Sequence, residues 1–518
     1  MHYVYVLKST KDVKFYTGCT DPKISNGVNC MACISDINSR PDETVETSRR
    51  LRYAIWFALL FSSILIIAAA RGDLWLDEIW SIAFASDSHS VMDIFVRFQH
   101  DNNHPLNTLF LYFAGEQKIL LVYRLFAILS GIGSLFLISY IAKKEWGYRE
   151  ALCSIVLTGT SFPMLLYFSE ARGYAPEIFF ALVCYALLRQ NSRRFTPWIL
   201  ILFWAASILG ILSHSTFIIA AIGFCVGSLA WEFQVTGYVR HKWLRFIAHH
   251  SPPLIFYAWW YTFFLKNMVI GGGPVYQIWD VIAQASALLL GSPESLFFSG
   301  AAMLCVLMII TAGVICLFRE RDPQWLFFLT ILSFSPAILY IVSNPALIYL
   351  RYFIVCFPFF YLLFSHLICK CYHLRPNHWR LFVIAAFTIL IAGQTQRDYP
   401  LLKFGRGQYS AALEYIAKNS PGIVLIGSNH DFRNQMLFDF YAPRVAGGDH
   451  LRYVNRHEWI LKLPDWIIGE AVLNQHPDEI IINRIWSYRF IKGYRSSEVS
   501  GRNLFLFRRE ILAPLEMR

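Results

Sequence analysis

Apolar residues along this chain gather in eleven runs, near residues 53–70, 122–142, 150–168, 173–188, 198–213, 215–231, 251–266, 296–318, 324–342, 352–369 and 381–394. An α-helix needs about 20 apolar residues to cross a bilayer, with a range of about 17–25, and the runs fall near that length. The stretch 198–231 is too long for one helix and barely long enough for two. Gly210 and the Ser213-His214-Ser215 triplet supply a turn that divides it. The pattern predicts an all-α polytopic membrane protein with about 11 transmembrane helices.

Two stretches break the pattern. Residues 71–121 form a long loop whose apolar part, Leu106–Ala114, is too short to cross, so an interfacial or re-entrant helix is expected there. Residues 395–518 are polar enough to be soluble. They read as a helix at Tyr409–Lys418 and strands at Ile423–Gly427, Glu479–Asn483 and Leu504–Phe507, a small C-terminal α/β domain. The expected division is an N-terminal segment 1–50, a membrane domain 51–394 and a tail domain 395–518.

Composition supports this reading. Of 518 residues 56% are hydrophobic and 17% aromatic, while only 16% are charged, against roughly 25% in soluble domains. A disordered chain and a conventional soluble enzyme are both excluded. The formal net charge of +11 would suggest nucleic acid in a soluble protein; here the position of the charges decides. With a cytoplasmic N-terminus, the inner loops carry Lys143, Lys144 and Arg149; Arg189, Arg193 and Arg194; Arg240, Lys242 and Arg245; Arg319 and Arg321; Lys370, Arg375 and Arg380. The short outer loops carry Arg172, Lys266 and Arg351. That is the positive-inside asymmetry, and it predicts a multi-pass protein of the inner (plasma) membrane with its tail domain extracytoplasmic. Most of the 11 cysteines lie in or beside apolar runs and none follows Cys371. The lone Cys30-Met-Ala-Cys33 motif lacks the second pair that a zinc site needs.

Ionisable groups that border a membrane are costly and mark function. On the outer face the topology gathers Asp77-Glu78 after the first span, Asn102-Asn103-His104-Pro105 in the first loop, Glu170 and Arg172 after the third span, His214 between the fifth and sixth, and Arg351 before the tenth. Singly, each has an ordinary reading: solvated acids, a loop ion pair, a helix start at His104-Pro105, a structural histidine, a snorkelling anchor. Together, acids, histidine and arginine at one face suit a lipid-linked phosphate substrate.

The order Leu-Trp-Leu-Asp77-Glu78, Asn-His104-Pro105-Leu106, Tyr123-Arg124-Leu125, Ser169-Glu170-Ala171-Arg172-Gly-Tyr174 and Leu350-Arg351-Tyr352 resembles the membrane glycosyltransferases of the GT-C type. More narrowly, it is similar to the bacterial branch related to protein O-mannosyltransferases and the lipid A aminoarabinose transferase. The resemblance covers about residues 51–400. It implies transfer of a hexose-type sugar, with inversion, from a polyprenyl-phosphate carrier to a hydroxyl of a glycan, lipid or protein acceptor at the outer face. No nucleic-acid partner is implied.

On the resemblance, Asp77 is the general base and Glu78 its catalytic neighbour. Arg351, then Arg172, stabilises the leaving phosphate, while His104, Glu170 and His214 bind substrate. No cofactor is certain; a divalent metal ion is an option, with Glu78, His104 and Glu170 as candidate ligands. Gly271-Gly272-Gly273-Pro274 forms an outer connector or gate.

Residues 3–20 resemble the opening of a GIY-YIG endonuclease, with Val4-Tyr5-Val6 and Tyr16-Thr17-Gly18 on the two name-giving strands. The catalytic arginine and metal-binding glutamate of those enzymes have no counterpart, so the segment is read as an inactive remnant, and a membrane-tethered nuclease lacks its chemistry. The alternative from another class is a non-catalytic transporter of an envelope lipid or sugar. It predicts paired repeats and midplane polar groups, whereas the ionisable residues here cluster at one face.

Overall fold

The computed structural model describes residues 3–8, 15–20 and 41–511, apart from 194, 235–238, 294, 344, 346, 374–377, 472–475, 483–485, 498 and 500–501. The Cys30–Cys33 motif, Arg194 and Arg375 lie outside the described residues. Two compact units result, Met1–Arg50 and Leu51–Arg518. In the first, β1 (Tyr3–Lys8) and β2 (Phe15–Thr20) pair antiparallel, with Tyr3 opposite Thr20. These are the two strands expected from the endonuclease-like opening.

Helices occupy all eleven apolar runs. The first is α1 (Pro41–Ala69), followed by three short helices of the long loop, α2 (Leu76–Ser86), α3 (Val91–Val96) and α4 (Pro105–Ala114). Then come α5 (Leu125–Glu145), α6 (Tyr148–Gly159), α7 (Phe162–Phe168), α8 (Tyr174–Arg193), α9 (Pro197–Ser213), α10 (Ile218–Gln234) and α11 (Val239–Phe263). After α12 (Ile278–Leu290) follow α13 (Leu296–Arg319), α14 (Gln324–Leu329), α15 (Ser335–Ser343), α16 (Phe357–His373) and α17 (His378–Phe404). A short π-helical segment joins α14 to α15.

Among the described residues, seven helices are long and apolar enough to cross a membrane, or eight if α6 and α7 make one span bent by 69°. Three predicted spans do not meet that standard, each for a local reason. Helix α8 carries Glu177, Arg189 and Arg193; α9 has 17 residues; α11 opens on Arg240, Lys242 and Arg245. Helix α8 is largely buried, packed on α5 and α9, so it faces protein and needs no apolar exterior. By contrast α1 exposes Trp56, Phe57, Leu60 and Ile64, the expected outer surface of a lipid-facing helix.

The bend between α6 and α7 falls at Thr160-Ser161, where Pro163 starts the new helix. Proline fits a first helical turn because its missing N–H has no partner there anyway. The bend delivers the chain to the tight Ser169–Gly173 turn that opens α8.

The last apolar helix does not stop at 394: α17 continues to Phe404. The tail then adds α18 (Tyr409–Lys418), α19 (Asp431–Tyr441) and strands β3 (Val424–Ser428), β4 (Leu451–Tyr453), β5 (Trp466–Ala471), β6 (Glu479–Ile482), β7 (Trp486–Tyr494) and β8 (Asn503–Ile511). The six-stranded sheet has the order β4-β3-β5-β8-β7-β6. Strand β3 is parallel to β4 and β5, and the other pairs are antiparallel.

The tail shares a hydrophobic core with the first loop. Leu74, Leu76, Ile79, Ile82, Leu111 and Tyr123 cluster with Tyr409, Leu413, Phe438 and Tyr441. Polar contacts secure the same face: Tyr441 Oη donates to the Leu74 carbonyl at 2.9 Å, and Asp73 accepts from the Ser410 amide (2.8 Å) and hydroxyl (2.9 Å). The tail is therefore a wall of the first loop.

Candidate active site

Helix α2 begins on the acid pair. A carboxylate three residues into a helix reaches back to the first free backbone N–H, and Glu78 does so: its Oε2 accepts from the Trp75 amide at 3.1 Å. The same carboxylate takes Arg124 in a forked pair, Nε to Oε1 at 2.7 Å and Nη2 to Oε2 at 2.6 Å, plus the Ala171 amide at 2.8 Å. The Glu78 side chain is 0% exposed. Burial pushes its carboxyl up, but Arg124 and Arg406 outweigh that and hold it below the ordinary value. Arg124 also donates to the carbonyls of Ala70, Gly72 and Asp73. Glu78 and Arg124 thus pin the end of α1, the start of α2 and the start of α5 together.

Consecutive helical residues point about 100° apart, so Asp77 faces elsewhere. Its Oδ2 accepts from Arg172 Nη1 at 2.9 Å and from Arg351 Nη1 at 3.1 Å. Asp77 is 15% exposed and Arg351 22%, whereas Arg172 is buried. The two arginines come from distant segments, the turn before α8 and the 3₁₀ stretch Leu350–Cys356 before α16. Asn102 completes the frame, donating to the Asp77 carbonyl at 2.9 Å and accepting from Arg172 Nη2 at 2.6 Å. Arg351 lies over the Tyr349 ring at 4.6 Å.

Glu170 sits behind this pair. Its Oε1 accepts from the Trp75 indole at 2.6 Å and pairs with Arg406 at 3.0 Å; Arg172 is 3.9 Å away. Its Oε2 is buried with no hydrogen-bond partner. Burial raises the Glu170 carboxyl despite Arg406 and Arg172. The Trp75 ring has Arg172 on it at 5.8 Å and Arg406 at 5.6 Å, a cation–π arrangement that is stronger away from water. Arg406 also donates to the Leu166 carbonyl at 2.7 Å.

His104 and His214 face each other at a tilt of 31°, ring centroids 4.8 Å apart, and both meet Tyr174, at 5.4 and 4.7 Å. Arg172 lies over the same tyrosine at 5.0 Å. His214 Nδ1 faces Thr216 Oγ1 at 2.6 Å, and His104 Nε2 is buried without a partner. Burial, followed by Arg172, holds both imidazoles neutral: His104 well below its ordinary value and His214 down to about 3. The close approach depends on Gly173, since a Cβ there would collide with the Ser213 carbonyl and with His104.

The glycine segment 271–273 borders this site. The Gly271 amide donates to Asp101 Oδ1 at 3.0 Å, and Val269 pairs with the Gln99–Asp101 backbone. A Cβ on Gly273 would strike Tyr349 Oη. It is a connector tied to the first loop beside the ring that carries Arg351.

Asp77, Arg172 and Arg351 therefore meet directly, with Glu170, His104 and His214 around them. Glu78 is joined to the group only through the backbone and Arg124. The proposed metal ligands Glu78, His104 and Glu170 do not form a donor set, because the two carboxylates are turned onto Arg124 and onto Trp75 and Arg406. Among the described residues, the group of donors close enough to share an ion is Cys316, Glu320 and His366.

No family model matches the sequence, and no curated protein matches it. Solved structures do. The Archaeoglobus fulgidus oligosaccharyltransferase in its apo form matches at a TM-score of 0.49 with 8% identity, over 80% of this chain and 69% of that one. ArnT from Cupriavidus metallidurans bound to undecaprenyl phosphate matches at 0.48 with 13% identity, over 87% and 97%.

Sequence reasoning missed three contributors. Trp75 was visible only as part of a motif, Asn102 only as a polar neighbour of His104. Arg406 had one signal, an isolated arginine between two glycines just past the last apolar run.

Proposed function

We propose that the protein is a membrane glycosyltransferase that moves a sugar from a polyprenyl-phosphate carrier to an acceptor hydroxyl. The observation that carries this reading is the single Asp77 oxygen held by two arginines from different segments. A donor phosphate competes with Asp77 for Arg351 and Arg172. When it takes them, Asp77 is released beside the sugar as a base. The acceptor O–H gives its proton to Asp77 as its oxygen attacks C1. The C1–O bond breaks with its electron pair passing to the phosphate, and the arginines stabilise that charge. Attack opposite the phosphate through an oxocarbenium-like transition state inverts the anomeric centre. Leaving phosphate needs no proton from an acid, which matches the neutral histidines nearby.

Glu78 acts as a positioning residue in this scheme, since its oxygens are committed to Arg124 and backbone. Glu170 and His104, each with an unpartnered buried atom, border the space where sugar hydroxyls would sit. The carboxylates near Asp77 do not fit a divalent ion, and no step is assigned to one. The positive-inside charge pattern supports a site at the outer face of the inner membrane and a tail on the same side; a reporter fused at residue 420 should read as external.

The test is purified protein in liposomes with a panel of polyprenyl-phosphate sugars and an envelope extract as acceptor. Release of free polyprenyl phosphate with sugar on the acceptor is expected for at least one donor. Carrier moved across the bilayer with its sugar bond intact would establish the transporter instead.

A further inference from the structure

The end of the bundle remote from Asp77 carries chemistry that the transfer reaction does not use. Cys316 lies in the last turn of α13 and Glu320, four residues on, is the helical-geometry cap that follows it, so the two share a face. His366 comes from α16, which packs on α13. One donor atom from each lies within 4.8 Å of the others. Cys316 Sγ is 3.8 Å from Glu320 Oε1, and His366 Nε2 is 3.2 Å from Glu320 Oε2. We propose that Cys316, Glu320 and His366 form a zinc-binding site that joins α13 to α16.

The spacing comes near what that metal needs, and a small side-chain rotation that brings one Glu320 oxygen toward both the thiol and the imidazole closes the rest. Zn–S bonds of about 2.3 Å and Zn–N or Zn–O bonds of about 2.0–2.1 Å in a tetrahedron put neighbouring donors about 3.3–3.8 Å apart. Magnesium and calcium prefer oxygen-only shells, whereas one thiolate, one imidazole and one carboxylate suit zinc. The imidazole is already placed: His366 is buried, stacked on Trp146 at 4.6 Å, with Nε2 toward Glu320 and Nδ1 without a hydrogen-bond partner. Glu320 is 33% exposed, which gives an ion an entry path.

One group opposes binding. Lys370 Nζ pairs with Glu320 Oε1 at 2.7 Å. Metal capture displaces this ammonium and releases the Cys316 proton, so that Zn²⁺ is bound by one thiolate, one carboxylate and one neutral imidazole. The fourth position is left to water or to the Cys371 thiol nearby. His366 lies on the same helix that Arg351 precedes, roughly 25 Å along at about 2.0 Å per residue through the 3₁₀ stretch and about 1.5 Å per residue in α16. The ion would therefore fix the far end of the helix that presents Arg351 to Asp77.

The test uses the intact purified protein and Co²⁺ alone as a spectroscopic stand-in for zinc. One equivalent of Co²⁺ with a thiolate charge-transfer band is expected. Cys316→Ser should abolish the band, and Cys305→Ser, at an exposed cysteine elsewhere on α13, should leave it. Glu320→Gln should weaken binding about tenfold or more. Lys370→Met, by freeing the carboxylate, should tighten it about two- to fivefold, the worth of an exposed ion pair. No band in the folded wild type overturns the site. A band that survives Cys316→Ser but is lost in Cys369→Ser also overturns it, placing the metal on the Cys153–Cys369 thiol pair 3.7 Å apart. Failure of Lys370→Met to tighten binding removes Glu320 from the ligand set.

Discussion

Helix α8 has a carboxylate gripped by two arginines at each of its ends, and the two grips are built differently. At its start Asp77 meets Arg172 and Arg351. At its finish Glu145 meets Arg189 at 2.7 Å and Arg193 at 2.8 Å, with Gln324 at 3.2 Å. Arg189 and Arg193 are one helical turn apart on a single helix, so their spacing is fixed whatever Glu145 does. Asp77 is held by arginines from separate segments, one of them partly open to solvent, with an unpartnered histidine nitrogen and an unpartnered Glu170 oxygen nearby. The Glu145 arrangement closes a helix end. The Asp77 arrangement joins separate segments and is the one the proposed reading opens to a donor phosphate. Counting ion pairs does not separate them; the origin of the partners does.

The largest effect expected is on this contrast. Asp77→Asn should lower transfer by about 10²–10⁴-fold, the usual worth of a general base, with thermal unfolding little changed. Glu145→Gln should leave turnover near wild type while lowering the unfolding midpoint. Comparable turnover losses in both variants, measured with the same donor, would erase the distinction.

Next comes the acid beside it. Removing one partner of a buried pair costs about 3–5 kcal/mol, so Glu78→Gln or Arg124→Met should destabilise the protein in thermal melts far more than Asp77→Asn does. A stable but inactive Glu78→Gln would return that residue to the chemistry. A smaller change is expected from Arg351→Lys. It keeps the charge but loses the guanidinium fork, and hydrogen bonds to charged groups are worth about 1.5–3 kcal/mol, so donor use should fall about 10- to 100-fold. Arg193→Lys should scarcely register in the same assay.

The smallest is a pH slope. The unfolded chain takes up a proton on His214 below about 6.5, but the folded protein does so only near 3. Stability should therefore fall as pH drops from 6.5 toward 3, by up to about 1.4 kcal/mol per pH unit for each such group. His214→Asn should flatten that slope in melts between pH 7 and 5; a slope unchanged by the substitution would place the acid sensitivity elsewhere.

Much of the membrane part was legible because its signal is long and repeated. Every apolar run became helix, and Leu106–Ala114, too short to cross, became α4. Of the three helices that fall short of a span, α8 has neighbours on most sides, and burial in a bundle relaxes the need for an apolar surface; α9 and α11 expose Trp198, Ile255 and Trp259 and fall short through length and basic residues instead. Within the site, Asp77, Arg172 and Arg351 were legible because few ionisable groups border the membrane. The different fates of Asp77 and Glu78 were not, since two adjacent acids look alike until helix geometry turns them apart. The tail was harder. Helix α18 and the strand starts near 424, 479 and 504 follow local pattern, but α19 mixes Arg433, Asn434 and Asp439 into its sequence. Its Arg433 is buried by pairing with Glu470 at 3.1 Å, a contact made between residues 37 apart.

The salt bridge from Arg406 to Glu170 also orders events in time. Glu170 is made and inserted early, while Arg406 follows the last apolar helix and reaches the Leu166 carbonyl across 240 residues of chain. On a ribosome the earlier spans enter the bilayer with Glu170 lacking the nearer of its two arginines and Trp75 open on one side. A chain arrested near residue 400 should thus carry Asp77, Arg172 and Arg351 yet bind donor poorly. Completion of the last apolar helix would then be what closes the shell around Trp75 and Glu170.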